Sequence, residues 1–206
     1  MAYPTVSAPY GLKPVNLIGG QVYAGSTRDI PITTSSVNYN TAIYNGAVVA
    51  LSSNGTVANS ALASDTSPIA GVIGVFVGCS YTNPTTGQKL FSQYWPGFAS
   101  GVTDAVAYVV DDPDALFKVA AVSSGTTVAY YGQTIVGNNV ALILNSGSST
   151  TGDAKVAIDG TSAVTTSLPM RIVDVVPDTA NSSGNFCEFI VKFNFGYHSY
   201  YNATGV

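Results

Sequence analysis

Three carboxylates lie close together in the octet VDDPDALF, at Asp111, Asp112 and Asp114. Carboxylates at this density could hold a divalent cation or supply a general acid and a general base. A calcium loop needs further oxygen ligands at regular offsets, however, and none follows Asp114 in the sequence. Asp followed by Pro is instead typical of a type I turn, or of a capped first helical turn. We therefore predict an exposed corner between two strands, the first ending at Val110 and the second beginning near Leu116.

Few other residues could do chemistry. His198 is the only histidine, and it lies among tyrosines with no neighbouring carboxylate, which favours a partly buried or interface histidine over a catalytic triad. Glu188, the only glutamate, is expected on the outward face of a strand with Lys192, which leaves no carboxylate pair for a glycosidase. Cys79 and Cys187 match no metal-ligand spacing and are predicted to be buried thiols. The sequence thus predicts no enzyme: no catalytic residue, no cofactor and no metal site.

The composition limits both the fold class and the partners. β-branched and aromatic residues are abundant, and Gly, Pro, Ser and Asn supply turns at short intervals, so we predict an all-β protein. Charged residues make up 9% of the chain, against roughly 25% in a typical soluble domain, so a partner is expected to cover part of the surface. Seven basic residues without a cluster argue against a nucleic-acid partner. The apolar run IAGVIGVFVG is too short to span a membrane, and no secretory signal is evident at the N-terminus.

Short apolar segments between turn signals give the predicted strands. Asn45-Gly46 and Asn54-Gly55 flank a short apolar strand and indicate hairpin turns. The segment around VIGVFVG is predicted to be a strand buried on both faces. The clearest alternation is in CEFIVKFNF, which places five side chains on one face: Cys187, Phe189, Val191, Phe193 and Phe195.

These elements predict an antiparallel β-barrel or sandwich body with an extended N-terminal arm. The arm is assigned to residues 1–20, since three prolines at this density keep a chain extended, although a frayed terminus is the alternative. The main barrel or sandwich domain is assigned to residues 21–145. A C-terminal β segment, residues 146–206, is expected to pack on that domain or to complete it.

Long stretches of the chain resemble a family of structural proteins of marine and cyanobacterial tailed phages. The resemblance covers nearly the whole chain and rests on four stretches: APYGLKPVNLIGGQVYAGSTRDIPI, PIAGVIGVFVGCSYTNPTTGQKLFSQYWPG, AYVVDDPDALFKV and FIVKFNFGYHSYYNATGV. The segment SPIAGVIGVF carries an extra AG relative to the plainer PIGVF of the family, which either lengthens that strand or changes its register.

The resemblance implies a head decoration, or cement, protein. Such a protein binds the major capsid protein on the outer surface of the virion after synthesis in the host cytoplasm, and it is expected to be a homotrimer. The arm would then add main-chain hydrogen bonds to a neighbour's sheet edge. The candidate capsid-contact residues are Tyr3, Pro4, Pro9, Tyr10, Leu12 and Pro14.

Two other classes of function remain open at this point. A tail- or fibre-associated protein could use its tyrosine-rich loops to bind host glycans, and thirteen tyrosines are compatible with that role. A virion-associated hydrolase is the third class, and the single histidine and missing carboxylate pair argue against it.

Overall fold

We describe a computed structural model of the chain, in which residues 8–33, 39–60, 62–64, 67, 71–98, 100–180 and 186–205 are placed well enough to describe. These residues form thirteen strands and three short 3-10 helices, which confirms the all-β class. The strands are β1 (Lys13–Leu17), β2 (Arg28–Ile32), β3 (Val48–Leu51), β4 (Val57–Asn59), β5 (Val72–Thr82), β6 (Lys89–Ser92), β7 (Ala105–Val110), β8 (Ala115–Ser124), β9 (Thr127–Val128), β10 (Asn139–Ile143), β11 (Ala157–Val164), β12 (Met170–Val175) and β13 (Glu188–Phe193). The 3-10 helices are Gly132–Ile135, Pro177–Thr179 and Ser199–Tyr201.

The first sheet closes on itself. Strand β8 pairs with β11, and the pairing continues through β10, β12 and β13 back to β8, so that five strands form a barrel. Strands β1 and β9 pair with β8 outside this ring. The β8–β11 pair is parallel, whereas the other pairs of this sheet are antiparallel, so the predicted antiparallel body has one exception.

The second sheet is open and antiparallel. Its strands follow the order β2-β7-β5-β3-β4, and β6 also pairs with β5. Strand β5 is central and contributes to two cores. Val72 and Val75 belong to the core shared with the barrel. Ile73, Phe76 and Cys79 belong to a second core, which also contains Tyr39, Tyr81 and Trp95. The continuous apolar pattern of β5 arises because both of its faces are covered, as the sequence predicted.

The predicted domain boundaries differ from the observed architecture. The boundary between residues 145 and 146 falls between β10 and β11, which pair antiparallel in the same barrel. The C-terminal segment therefore completes the barrel, while residues 21–145 are divided between the two sheets. The loop NSGSSTTGD, which separates β10 from β11, is held by backbone hydrogen bonds between Ser148 and both Gly152 and Asp153.

Strand β13 confirms the predicted inward face over most of its length. Phe189, Val191 and Phe193 are essentially fully buried in the barrel core. The strand ends at Phe193, however, and Phe195 is 79% exposed, so the prediction is wrong for this residue. The chain turns at Asn194, whose side-chain amide donates to the carbonyl of Leu168 and whose Oδ1 accepts from the backbone amide of Phe195. This turn ends the period-2 alternation.

Candidate functional site

The described part of the predicted N-terminal arm belongs to the body. Strand β1 pairs with β8, with Pro14 opposite Phe117. Leu12 has no exposed surface and is part of the barrel core, and Pro9 is also buried. The prediction that residues up to 20 form an extended arm is therefore wrong for this part of the chain. Burial of the Leu12 side chain in the barrel core stabilises the fold, and an exposed arm would lose that free energy.

Of the six predicted capsid-contact residues, four lie in the described structure. Pro9, Tyr10, Leu12 and Pro14 are buried or half-buried, so their side chains are used largely within the chain itself. Tyr3 and Pro4 lie outside the described residues. The sequence pattern could not reveal this arrangement, because the residues that cover Leu12 come from distant strands.

Tyr10 is fixed by the only glutamate of the chain. Its hydroxyl donates a hydrogen bond to Glu188 Oε1, and Lys118 Nζ lies 3.4 Å from the same oxygen. Burial, and then the bond to Glu188, raise the pKa of Tyr10 well above its ordinary value. Glu188 is only 7% exposed, so the prediction of an outward, solvated glutamate is wrong. A buried carboxylate is tolerated here because it has both a cation and a hydroxyl donor.

Lys13 joins three parts of the chain. Its Nζ lies 2.6 Å from Asp153 Oδ1 and 2.6 Å from Asn45 Oδ1, and Gln93 Nε2 donates to the same aspartate oxygen at 3.0 Å. The lysine and the aspartate are about 30% exposed, so the ion pair adds little stability. Its position nevertheless fixes the start of β1 against the loops before β3 and β11.

The acidic octet forms the predicted turn, but residues 111–114 are half-buried rather than exposed. The backbone amide of Ala115 donates to the carbonyl of Asp112 at 3.1 Å, and Asp112 Oδ1 accepts from the amide of Asp114 at 2.8 Å. These two bonds define a turn stabilised by the aspartate side chain. The strands end at Val110 and begin at Ala115, as expected within one residue.

The carboxylates of Asp111 and Asp114, which flank the turn at Asp112, contact the C-terminal tail as well as solvent. Tyr200 donates its hydroxyl hydrogen to Asp111 Oδ2 at 2.6 Å, and Tyr201 donates to Asp114 Oδ1 at 3.3 Å. Lys192 Nζ also lies 3.2 Å from Asp114 Oδ1. The corner is therefore an attachment point for residues 198–201, a role that no local sequence pattern indicated.

His198 lies fully buried beneath this attachment. Its Nδ1 accepts a hydrogen bond from the backbone amide of Tyr200 at 3.2 Å, and its ring packs edge-on against Phe193 with centroids 5.7 Å apart. Within the described residues, Nε2 has no hydrogen-bond partner. Burial lowers the pKa of His198 below its ordinary value, although the nearby carboxylates of Asp111 and Asp112 act in the opposite direction. The ring of His198 is thus held in place by its contact with Phe193 and by the bond from Tyr200.

The two cysteines are buried and unpaired, as predicted. Burial raises the pKa of Cys79 to about 12 and also raises the pKa of Cys187. A thiol with a raised pKa holds little reactive thiolate near neutrality. Both cysteines therefore act as small apolar core residues.

Two phenylalanines are conspicuous on the surface. Phe91 and Phe195 are each 79% exposed, and Phe195 stacks on Tyr201 with ring centroids 5.8 Å apart. Phe91 lies on β6, which ends at Ser92. Trp95 follows after a bend in the chain and is fully buried.

Within the described ranges, no group of three or more His, Cys, Asp or Glu side chains could hold a metal ion. In the same part of the chain, no helix is both long and apolar enough to cross a membrane. Comparison with protein-family models, with curated proteins and with solved structures finds no match for this chain.

Proposed function

We propose that the chain is a structural protein of a tailed-phage virion that decorates the outer surface of the capsid shell as a homotrimer. The observation that carries this proposal is the exposure of Phe91 and Phe195 on a protein with few charges. Each ring is 79% exposed, and only 9% of the residues are charged. A partner that covered these rings would remove their apolar surface from water, which the folded chain alone does not do.

The energetics favour many weak, repeated contacts. Complete burial of one phenylalanine contributes roughly 1.5–3 kcal/mol, which is too little for tight binding by one copy after the cost of association. A trimer on a threefold site makes its second and third contacts intramolecular, so weak contacts combine into stable attachment. Stabilisation of a shell by repeated binding requires no catalytic group.

The contact surface that we propose differs from the one expected from the sequence. Tyr10 and Leu12 are held in the body by Glu188 and the barrel core, so they cannot be the main shell contacts without unfolding part of the chain. Phe195, stacked on Tyr201 at the C-terminal end, is the better candidate because its ring is already exposed.

The proposal is tested by co-sedimentation of the purified chain with expanded capsids, together with light scattering to measure its oligomeric state. We expect a trimer that sediments with shells, and weaker sedimentation after Phe195→Ser or Phe91→Ser. Val22→Ser is the matched control, since Val22 is also an exposed apolar side chain, at 76%.

A chain that does not bind shells, but binds tails or host glycans, would contradict decoration and support the tail- or fibre-associated alternative. If Val22→Ser and Phe195→Ser reduced co-sedimentation equally, any exposed apolar side chain would contribute to binding, and a defined aromatic contact would be contradicted.

A further inference from the structure

A cleft of about 360 Å³ opens where the two sheets meet. One wall comes from the segment before and at the start of β3, including Thr41, Tyr44 and Val48. The other wall comes from the loop between β10 and β11, including Ser146 and Val156, and Asn59 at the end of β4 completes the lining. Its volume lies at the lower end of the range of small-ligand sites.

The walls of the cleft are fixed by backbone hydrogen bonds, two between the segments that precede β3 and β11 and one within the open sheet. The amide of Ala154 donates to the carbonyl of Asn45 at 2.9 Å, and the amide of Asn45 donates to the carbonyl of Gly152 at 3.0 Å. The amide of Ser60 donates to the carbonyl of Val48 at 3.1 Å. A cleft held in this way is formed before a ligand arrives, so binding has a small ordering cost.

The ring of Tyr44 is also fixed. It stacks on Tyr94 with centroids 5.4 Å apart and an interplanar angle of 14°. The backbone of Gly147 lies so close to Tyr44 that an added Cβ would come within 2.3 Å of the ring. The loop thus needs glycine at this position, and the tyrosine is held in one orientation at the cleft.

Four polar side chains of the lining have unused hydrogen-bonding groups. Within the described part of the chain, the side chains of Thr41, Tyr44, Asn59 and Ser146 make no hydrogen bond. Each of these four side chains can both donate and accept a hydrogen bond. Among the residues that the structure describes, no charged side chain lines the cleft, and Val48, Ala154 and Val156 form an apolar floor.

From this combination we propose that the cleft binds a neutral saccharide, on the scale of one or two sugar units. Sugar hydroxyls both donate and accept hydrogen bonds, as do the side chains of Thr41, Tyr44, Ser146 and Asn59. The C–H groups of a sugar ring match the apolar floor. A phosphate, a carboxylate or a cation would lose its water without gaining an opposite charge, which is unfavourable. The proposal concerns a site separate from Phe195 and does not depend on capsid binding.

The site is tested by NMR titration of the isotopically labelled full-length chain with glucose, galactose, mannose, N-acetylglucosamine and their disaccharides. We expect at least one neutral sugar to bind saturably, with a dissociation constant on the order of 0.1–1 mM for so small a ligand. The shifted amides should belong to residues 41–48, 59–60 and 144–147. Glucose 6-phosphate and glucuronic acid serve as charged probes and should bind at least about tenfold more weakly.

Two pairs of variants separate the cleft from its surroundings. Tyr44→Phe and Ser146→Ala each remove one hydroxyl and should weaken binding about fivefold. Tyr94→Phe alters the other ring of the same stack, and Ser149→Ala alters the same loop outside the lining. Both control variants should bind within about twofold of the unmodified chain, since no cleft group is lost.

The proposal is overturned if no neutral sugar of the panel binds, if the shifted amides lie elsewhere, or if Tyr44→Phe and Ser146→Ala bind as the controls do. Equal or tighter binding of a charged probe also overturns it. A chain that sediments with capsids but binds no sugar would refute the cleft proposal alone.

Discussion

Tyr200 donates its phenolic hydrogen to Asp111 across 2.6 Å, while Arg28 Nη1 donates to the same tyrosine oxygen at 2.8 Å. Arg28 lies on β2 of the open sheet, Asp111 follows β7, and Tyr200 follows the last strand of the barrel. One hydroxyl therefore joins the tail that follows the barrel to the open sheet at the acidic corner.

The first prediction concerns this hydroxyl. Tyr200→Phe keeps the ring but removes both hydrogen bonds, and we expect a loss of about 1 kcal/mol in the free energy of unfolding. Tyr201→Phe is the matched control, and it should cost less because its bond to Asp114 is longer, at 3.3 Å. Urea unfolding followed by circular dichroism measures both values. A larger loss from Tyr201→Phe would contradict the role assigned to Tyr200.

The second prediction is a pH dependence that originates at His198. Burial lowers its pKa in the folded chain, while the carboxylates of Asp111 and Asp112 oppose this effect only in part. The unfolded chain binds a proton near pH 6.5, whereas the folded chain resists protonation until a lower pH. Stability is therefore fully present above about pH 6.5 and is lost as the pH falls below that value towards the folded pKa.

His198→Asn isolates this effect, because its side-chain oxygen can still accept from the amide of Tyr200 but does not titrate in this range. Melting temperatures from about pH 7.5 to 5.5, which span the ordinary histidine pKa, should fall more steeply for the unmodified chain than for the variant. Parallel pH profiles would assign the pH dependence to other groups.

The third prediction compares the two Asn-Gly pairs. Gly46 and Gly55 both have positive φ, at 90° and 74°, but a Cβ at Gly46 would lie 2.9 Å from the backbone of Gly11, whereas a Cβ at Gly55 meets nothing within 4 Å. We expect Gly55→Ala to cost about 1–2 kcal/mol through backbone strain alone. Gly46→Ala should cost about 1–3 kcal/mol more than Gly55→Ala, because the backbone at Gly11 or Gly46 must move to make room for the Cβ. Denaturant unfolding of both variants tests this order, and equal losses would show that the contact with Gly11 yields easily.

The fourth prediction concerns the N-terminal segment. Leu12→Ala removes a fully buried side chain and should cost about 2–5 kcal/mol. Ile18→Ala, at a side chain that is 46% exposed, should cost less than about 1 kcal/mol. Deletion of residues 2–15 removes Leu12 and three of the five residues of β1, so we expect the truncated chain to unfold or to melt at a much lower temperature. A truncated chain with unchanged melting temperature would mean that the segment is an arm after all.

Local patterns predicted those parts of the fold that depend on neighbouring residues. The turn at Asp112 follows from an aspartate and a proline in sequence, and the inward face of β13 follows from alternation up to Phe193. The double burial of β5 follows from its unbroken apolar run. In each case the physical cause lies within a few residues.

The remaining features depend on residues that only the tertiary structure brings together. Glu188 was predicted to be exposed because the sequence does not show that Tyr10 covers it. Asn45-Gly46 forms a turn, closed by the bond from the amide of Ala47 to the carbonyl of Tyr44, but the sequence does not show that Gly46 also lies against the backbone of Gly11. The cleft combines Asn59 with Ser146 from different sheets, so no spacing along the chain could have indicated it.

The closed ring of the barrel sets an order of events during biosynthesis. Strand β8 pairs with β13, which places Val119 opposite Phe189 and Phe117 opposite Val191. Because β13 follows the other twelve described strands in sequence, the ring stays open while the ribosome still holds residues 188–193. Pairings between such distant residues form slowly. A nascent chain released before residues 188–193 would carry an unpaired β8 edge and an uncovered Phe117 face, both of which invite another chain. Synthesis of residues 188–193 is thus also the step that protects the barrel from aggregation.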